Sequence, residues 1–94
     1  MSDKTENEVL LRVSSRTAVD SLASAIANNV YVGNVVTLRA IGNGAVGQSV
    51  KGIAAAQAFT APRGITLSAR PAFTEVEVSD KTVSAIILRI IATR

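Results

Sequence analysis

Thr82-Val83-Ser84-Ala85-Ile86-Ile87-Leu88-Arg89-Ile90-Ile91-Ala92-Thr93 is the stretch that decides the fold. Val83, Ala85, Ile86, Ile87, Leu88, Ile90 and Ile91 occupy both parities of an extended chain, whereas a strand with one wet face would alternate. The run therefore reads as a central strand covered on both sides. Before it, Ile65 to Val78 alternates and contains Pro71, which cannot donate to a ladder and so points to an edge strand or a bulge. Ser79-Asp80-Lys81 supplies the turn between the two.

Working outward, Glu8 to Val13 is a short β-rich run, and Ser14, Ser15 and Arg16 form a polar connection. Thr17 and Asp20 give a capping signal, with Val19, Leu22, Ile26 and Val30 at helical spacing, so a helix is expected from about Thr17 to Asn29. Gly33-Asn34 breaks the chain before a second strand, Val35 to Ile41. Gly42-Asn43-Gly44 opens a second helix with an apolar stripe of Val46, Val50, Ile53 and Ala54. It ends near Phe59, because Ala61-Pro62-Arg63-Gly64 sets Pro and Gly where a turn uses them.

The order β-α-β-α-β-β, with right-handed crossovers, places both helices on one face of a four-stranded mixed sheet. Returning the last strand into the middle gives the order 1-2-4-3, an α+β two-layer sandwich. The other face then has no helix, so Val83, Ile87 and Ile91 need a partner, and a second copy of the chain is the economical one. A homodimer or larger assembly is expected.

The chain has 94 residues, 48% of them hydrophobic, enough for one small core. Residues 8–94 read as a single domain and residues 1–7 as a disordered acidic tail. His and Cys are absent, which removes imidazole bases, thiol nucleophiles, Cys/His metal sites and disulfides. The remaining serines have no visible base, Glu75, Glu77 and Asp80 read as solvated carboxylates rather than a cation site, and no catalytic residue, metal or cofactor is expected. Lys4 against Asp3, Glu6 and Glu8 sums to −2 over residues 1–8. Beyond them Arg12, Arg16, Arg39, Lys51, Arg63, Arg70, Lys81, Arg89 and Arg94 against Asp20, Glu75, Glu77 and Asp80 sum to +5. The folded body is basic, which suits phosphate partners. The polar start does not resemble an export signal, and the apolar run of Ala85 to Ala92 is far short of a membrane span, so a cytoplasmic protein is expected.

Four runs carry a family resemblance: Leu11-Arg12-Val13-Ser14, the span from Ala40 through Gly42-Asn43-Gly44 to Lys51, Phe59-Thr60-Ala61-Pro62-Arg63-Gly64, and Arg70-Pro71-Ala72-Phe73-Thr74. Together they resemble the stage V sporulation protein S family of bacteria over about residues 8–94. The resemblance implies an Alba-like fold, related in architecture to archaeal chromatin proteins and to the C-terminal domain of bacterial initiation factor three. It also implies a sporulation or developmental regulator that binds DNA or RNA with low specificity through its strand–helix loops. The chain departs from the family with Gly47 in place of an Asn, and with Val83 and Ile87 at positions that are usually basic. Its hairpin and last strand are thus more apolar, which favours an alternative role as a scaffold polymerising through the helix-free face.

Three constellations remain. Gly42-x-Gly44-x-x-Gly47 matches the dinucleotide fingerprint literally, but Glu75 comes too late to hold a ribose and the second half of such a site is missing. The same turn reads either as a tight, purely structural start or as an anion site, where the N–H groups of Gly42, Asn43 and Gly44 meet a phosphate with help from Gln48, Lys51, Arg16, Arg39 and Arg63. Strand parity sends Arg12, Arg39, Arg70 and Arg89 to the helix-free face, as a basic platform or as gatekeepers. No aromatic is interleaved there, so base stacking is not supported. Finally, Ala45, Ser49, Gly52 and Ala56 form a small-residue face suited to packing on Ala23 or Ala27, with Gly47 and Gly52 expected to allow close backbone approach.

Overall fold

The computed structural model describes residues 7–94. The acidic tail expected over residues 1–7 lies, Asn7 apart, outside the described residues. The elements are β1 (Glu8–Val13), α1 (Val19–Tyr31), β2 (Val35–Ala40), α2 (Asn43–Thr60), a 3-10 turn (Ala61–Arg63), β3 (Thr66–Val78) and β4 (Lys81–Thr93). One four-stranded sheet has the order β1-β2-β4-β3, with β1 and β2 parallel and β4 antiparallel to both neighbours. This is the α+β architecture and strand order read from residues 82–93. Pro71 lies on the edge strand.

Alternate residues of each strand build one core. Val13, Val36, Leu38, Leu88 and Ile90 on the sheet meet Leu22, Ala23, Ile26 and Val30 of α1, with Ala56 of α2 and Ile65. Ile26 and Leu38 are fully buried, and each such side chain contributes about 1.5–3 kcal/mol by leaving water.

The second helix buries the small-residue face expected to pack on α1, and not the whole of the Val46-Val50-Ile53-Ala54 stripe. Its buried residues are Ala45, Ser49, Gly52, Ala56 and Thr60, while Val50 is 55% exposed. The cause is size at the closest approach. A Cβ at Gly52 would collide with the Leu22 side chain, so α2 lies against α1 through its small residues; Val50 is turned away, while Val46 and Ile53 stay half-buried and Ile53 packs at the edge of the core. Gly47 does not share this role, because a Cβ there would meet nothing within 4 Å. The two buried hydroxyls are satisfied: Ser49 donates to the Ala45 carbonyl at 2.8 Å and Thr60 to the Ile65 carbonyl at 3.1 Å.

The first helix starts two residues later than expected, after Ala18, with no side-chain cap. Thr17 is occupied elsewhere. Its hydroxyl accepts from the Ser14 N–H at 2.8 Å, back in the loop. At the other end, β3 and β4 run on past the last β2 partner, Ile86, as a two-stranded ribbon. Lys81 to Ala85 reach about 17 Å beyond the sheet body. Ser79 and Asp80 close it with φ of 51° and 65°, the left-handed pair of a two-residue hairpin loop.

Candidate functional site

Parallel β1 and β2 end side by side, with Val13 opposite Ala40, so the segments that follow them emerge at one edge of the sheet. That edge is where open α/β sheets place ligands.

The first segment is held rigidly. The Thr17 N–H donates to the Ser14 carbonyl at 3.1 Å and the Arg16 N–H to the Ser14 hydroxyl at 3.1 Å, which closes a turn around Ser15 and Arg16. Arg16 is left exposed.

The second segment passes through Gly42, whose φ of 89° suits a residue without a Cβ. No side chain caps α2, and its first intrahelical bond runs from the Val46 N–H to the Gly42 carbonyl at 3.1 Å. The N–H groups of Asn43, Gly44 and Ala45 thus stand outside the helical ladder, at the positive end of an 18-residue dipole. A Cβ on Gly44 would lie 2.8 Å from the Ser15 Cβ, so the β1–α1 loop crosses directly over the start of α2.

Gln48 completes the junction. Its side-chain amide donates to the Thr17 carbonyl at 2.8 Å. This residue, singled out as a ligand contact, therefore has its amide hydrogen-bonded to the loop that carries Arg16. Lys51, one turn further along α2, is exposed.

Beside these loops lies a cleft of about 360 Å³ lined by Arg12, Val13, Ser14, Ser15, Arg39 and Ile41. Arg12 and Arg39 are direct cross-strand neighbours. The structure thus joins two groups that the sequence presented separately, the loop residues and the arginines of the helix-free face. Arg12, read from the sequence only as part of the outward-facing platform, also lines this cleft. Its parity was legible, but its pairing with Arg39 depends on the β1–β2 register.

Arg63 does not belong to this cluster. It follows α2, roughly 27 Å along the helix from Asn43. There its guanidinium carbon lies 3.9 Å from the centre of the Tyr31 ring.

Val83, Ile87 and Ile91 all face the helix-free side and are half-buried, but they do not form one patch. Val83 pairs with Val76 on the projecting ribbon, Ile87 sits between Arg39 and Ala72, and Ile91 pairs with Ser68. The larger apolar exposure is on the other side of the sheet. A groove of about 310 Å³ between α2 and β3 is lined by Val50, Ile53, Ala54, Gln57, Leu67, Ala69 and Leu88. On that same side Phe73 is 82% exposed.

Among the described residues, no three or more carboxylates gather as metal ligands, and no helix is long and apolar enough to cross a membrane. The family model of Stage V sporulation protein S (SpoVS) matches residues 9–93.

Proposed function

The chain belongs to the stage V sporulation protein S family, a sporulation-related family, and from that premise and the loop geometry we propose that it is a cytoplasmic, non-catalytic, Alba-like protein that binds nucleic acid through phosphate contacts. One observation carries the reading: the uncapped start of α2, the Arg16 turn and the Arg12–Arg39 cleft lie together at one edge of the sheet. Phosphates are drawn to free N–H groups at a helix start and to arginines. Neither feature reads bases, so binding is weakly sequence-specific and falls steeply with salt.

Fluorescence anisotropy with a labelled duplex at several salt concentrations tests the proposal. Binding at 50 mM salt that weakens in Lys51→Glu and Arg16→Glu supports it. No binding to DNA or RNA at that salt refutes it.

Self-association is a second part of the proposal, and the exposed groove between α2 and β3 favours it. Phe73 and the groove lie on one side of the sheet, so a two-fold axis can seat the ring of each copy in the other's groove. Stacking through the helix-free face is less favourable, because Arg12, Arg39, Arg70 and Arg89 of one copy would face the same four of the next. Sedimentation checks this: Phe73→Asp yields a monomer if the groove is the interface. If Ile87→Lys does so instead, the helix-free face is.

A further inference from the structure

The helix-free face carries a charge arrangement that the fold does not need. Arg12 is directly opposite Arg39 across β1 and β2, and Arg70 is directly opposite Arg89 across β3 and β4. The remaining cross-strand partners are neutral, Ile87 beside Arg39 and Thr37 beside Arg89. Like charges facing each other on neighbouring strands destabilise a sheet, and here it happens twice on one face with no acidic partner in register.

The two pairs connect. Thr37 and Arg39 are two residues apart on β2, and they stand opposite Arg89 and Ile87 respectively. The Arg70–Arg89 pair is therefore displaced from the Arg12–Arg39 pair by two residues, about 7 Å along the strands, and by the next two strands sideways. The four arginines form a diagonal band across all four strands, about 14 Å wide. One end is the cleft beside Ser14 and Ser15. Glu8, the acidic residue that shares this face on β1, stands at the opposite end of that strand from the cleft.

We propose that this band is a second contact surface for the phosphate backbone of duplex DNA, continuous with the loop edge, so that one duplex spans both. The inference rests on the nucleic-acid reading above and extends it to Arg12, Arg70 and Arg89. Charge selects the occupant. A second copy would bring the same arginines against these, whereas a polyanion relieves both unfavourable pairs at once. A duplex is chosen over a single strand because the face has no aromatic side chain on which unstacked bases could lie: Tyr31 is on α1, Phe59 on α2, and Phe73 on the other side of the sheet. In a duplex the bases are already stacked and phosphates are what the protein meets.

The test compares three proteins by anisotropy on a 20-base-pair duplex across a salt series: the wild type, a loop variant Arg16→Gln/Lys51→Gln, and a sheet variant Arg70→Gln/Arg89→Gln. Thermal melting confirms that each is folded. Each phosphate contact adds about 0.9 to the slope of log affinity against log salt. The sheet variant is expected to bind roughly tenfold more weakly at low salt, with a slope shallower by about 1.8. A sheet variant that matches the wild type in affinity and slope, while the loop variant is weakened, overturns the inference and leaves the loop proposal standing. A wild type that does not bind overturns both. A sheet variant whose sedimentation changes while its DNA affinity does not identifies a protein contact and also overturns the inference.

Discussion

The Gln48 side-chain amide donates to the backbone carbonyl of Thr17 over 2.8 Å, and this bond ties the start of α2 to the loop that presents Arg16. Since the donor is used inside the protein, Gln48 acts on the site by holding it. In Gln48→Ala the Thr17 carbonyl loses this partner, and unfolding in urea is expected to show a loss of about 1 kcal/mol. DNA affinity falls as the Arg16 turn loosens. The salt slope stays at the wild-type value because no charged contact is removed. Unchanged DNA affinity despite the lost stability shows instead that the bond to Thr17 does not shape the Arg16 turn.

The three glycines of α2 do different things, and one substitution separates them. Gly47 has open space around it, so Gly47→Ala relieves the helix of a glycine and stabilises the protein by up to about 1 kcal/mol. At Gly52 the same change drives a methyl into Leu22, which costs about 1–3 kcal/mol in a packed core. Gly44→Ala presses on Ser15 instead, and under the proposed function its expected effect is weaker DNA binding, read by anisotropy. Combining Gly52→Ala with Leu22→Ala tests the assignment, because residues in contact are not additive. The double variant is expected to be more stable than the sum of the two single changes requires.

The ribbon turn is strained by its side chains. Ser79 and Asp80 both hold positive φ, which costs an ordinary L residue roughly 1–2 kcal/mol. Asn-Gly is the pair best suited to this turn. Ser79→Asn/Asp80→Gly is expected to raise the thermal midpoint. Asp80→Val is expected to lower it, because a β-branched residue resists that conformation most.

How much of this was legible in the sequence depends on what each residue had to report. Ile86, Ile87 and Leu88 gave away their central place by filling both parities, although the same apolar run continues through Ala85 and Val83 onto the projecting ribbon, and Pro71 marked the edge for an equally local reason. For α2 the sequence offered two faces and did not rank them. Its Val46-Val50-Ile53-Ala54 stripe and its Ala45-Ser49-Gly52-Ala56 face are both plausible buried sides, and the choice was made by Leu22 of another helix. Thr17 was similarly ambiguous, since a hydroxyl before a helix can bond forward to it or, as here, accept from the Ser14 N–H behind it. At the site, the outward direction of each arginine followed from parity alone. Which arginine meets which followed from strand register, and a slip of two residues keeps every side chain on its face, so parity alone does not fix it.

Arg63 provides the last prediction, because its position separates the loop-edge site from a general effect of positive charge. It packs on the Tyr31 ring at 3.9 Å, and the Tyr31 hydroxyl donates to the Phe59 carbonyl at 2.9 Å. The pair thus joins the C-terminal ends of the two helices, remote from the Arg16 turn. Arg63→Gln is expected to cost about 0.5–1 kcal/mol of stability through loss of the cation–ring contact, and Tyr31→Phe to keep that contact while losing the hydroxyl bond. Neither changes DNA affinity or its salt slope if binding is confined to the loop edge and the arginine band. Matched titrations of Arg63→Gln and Arg16→Gln decide it, since the two remove the same charge. Equal losses would mean that DNA responds to the net charge of the body, and a loss in Arg16→Gln alone would mean that it responds to the edge where β1 and β2 end.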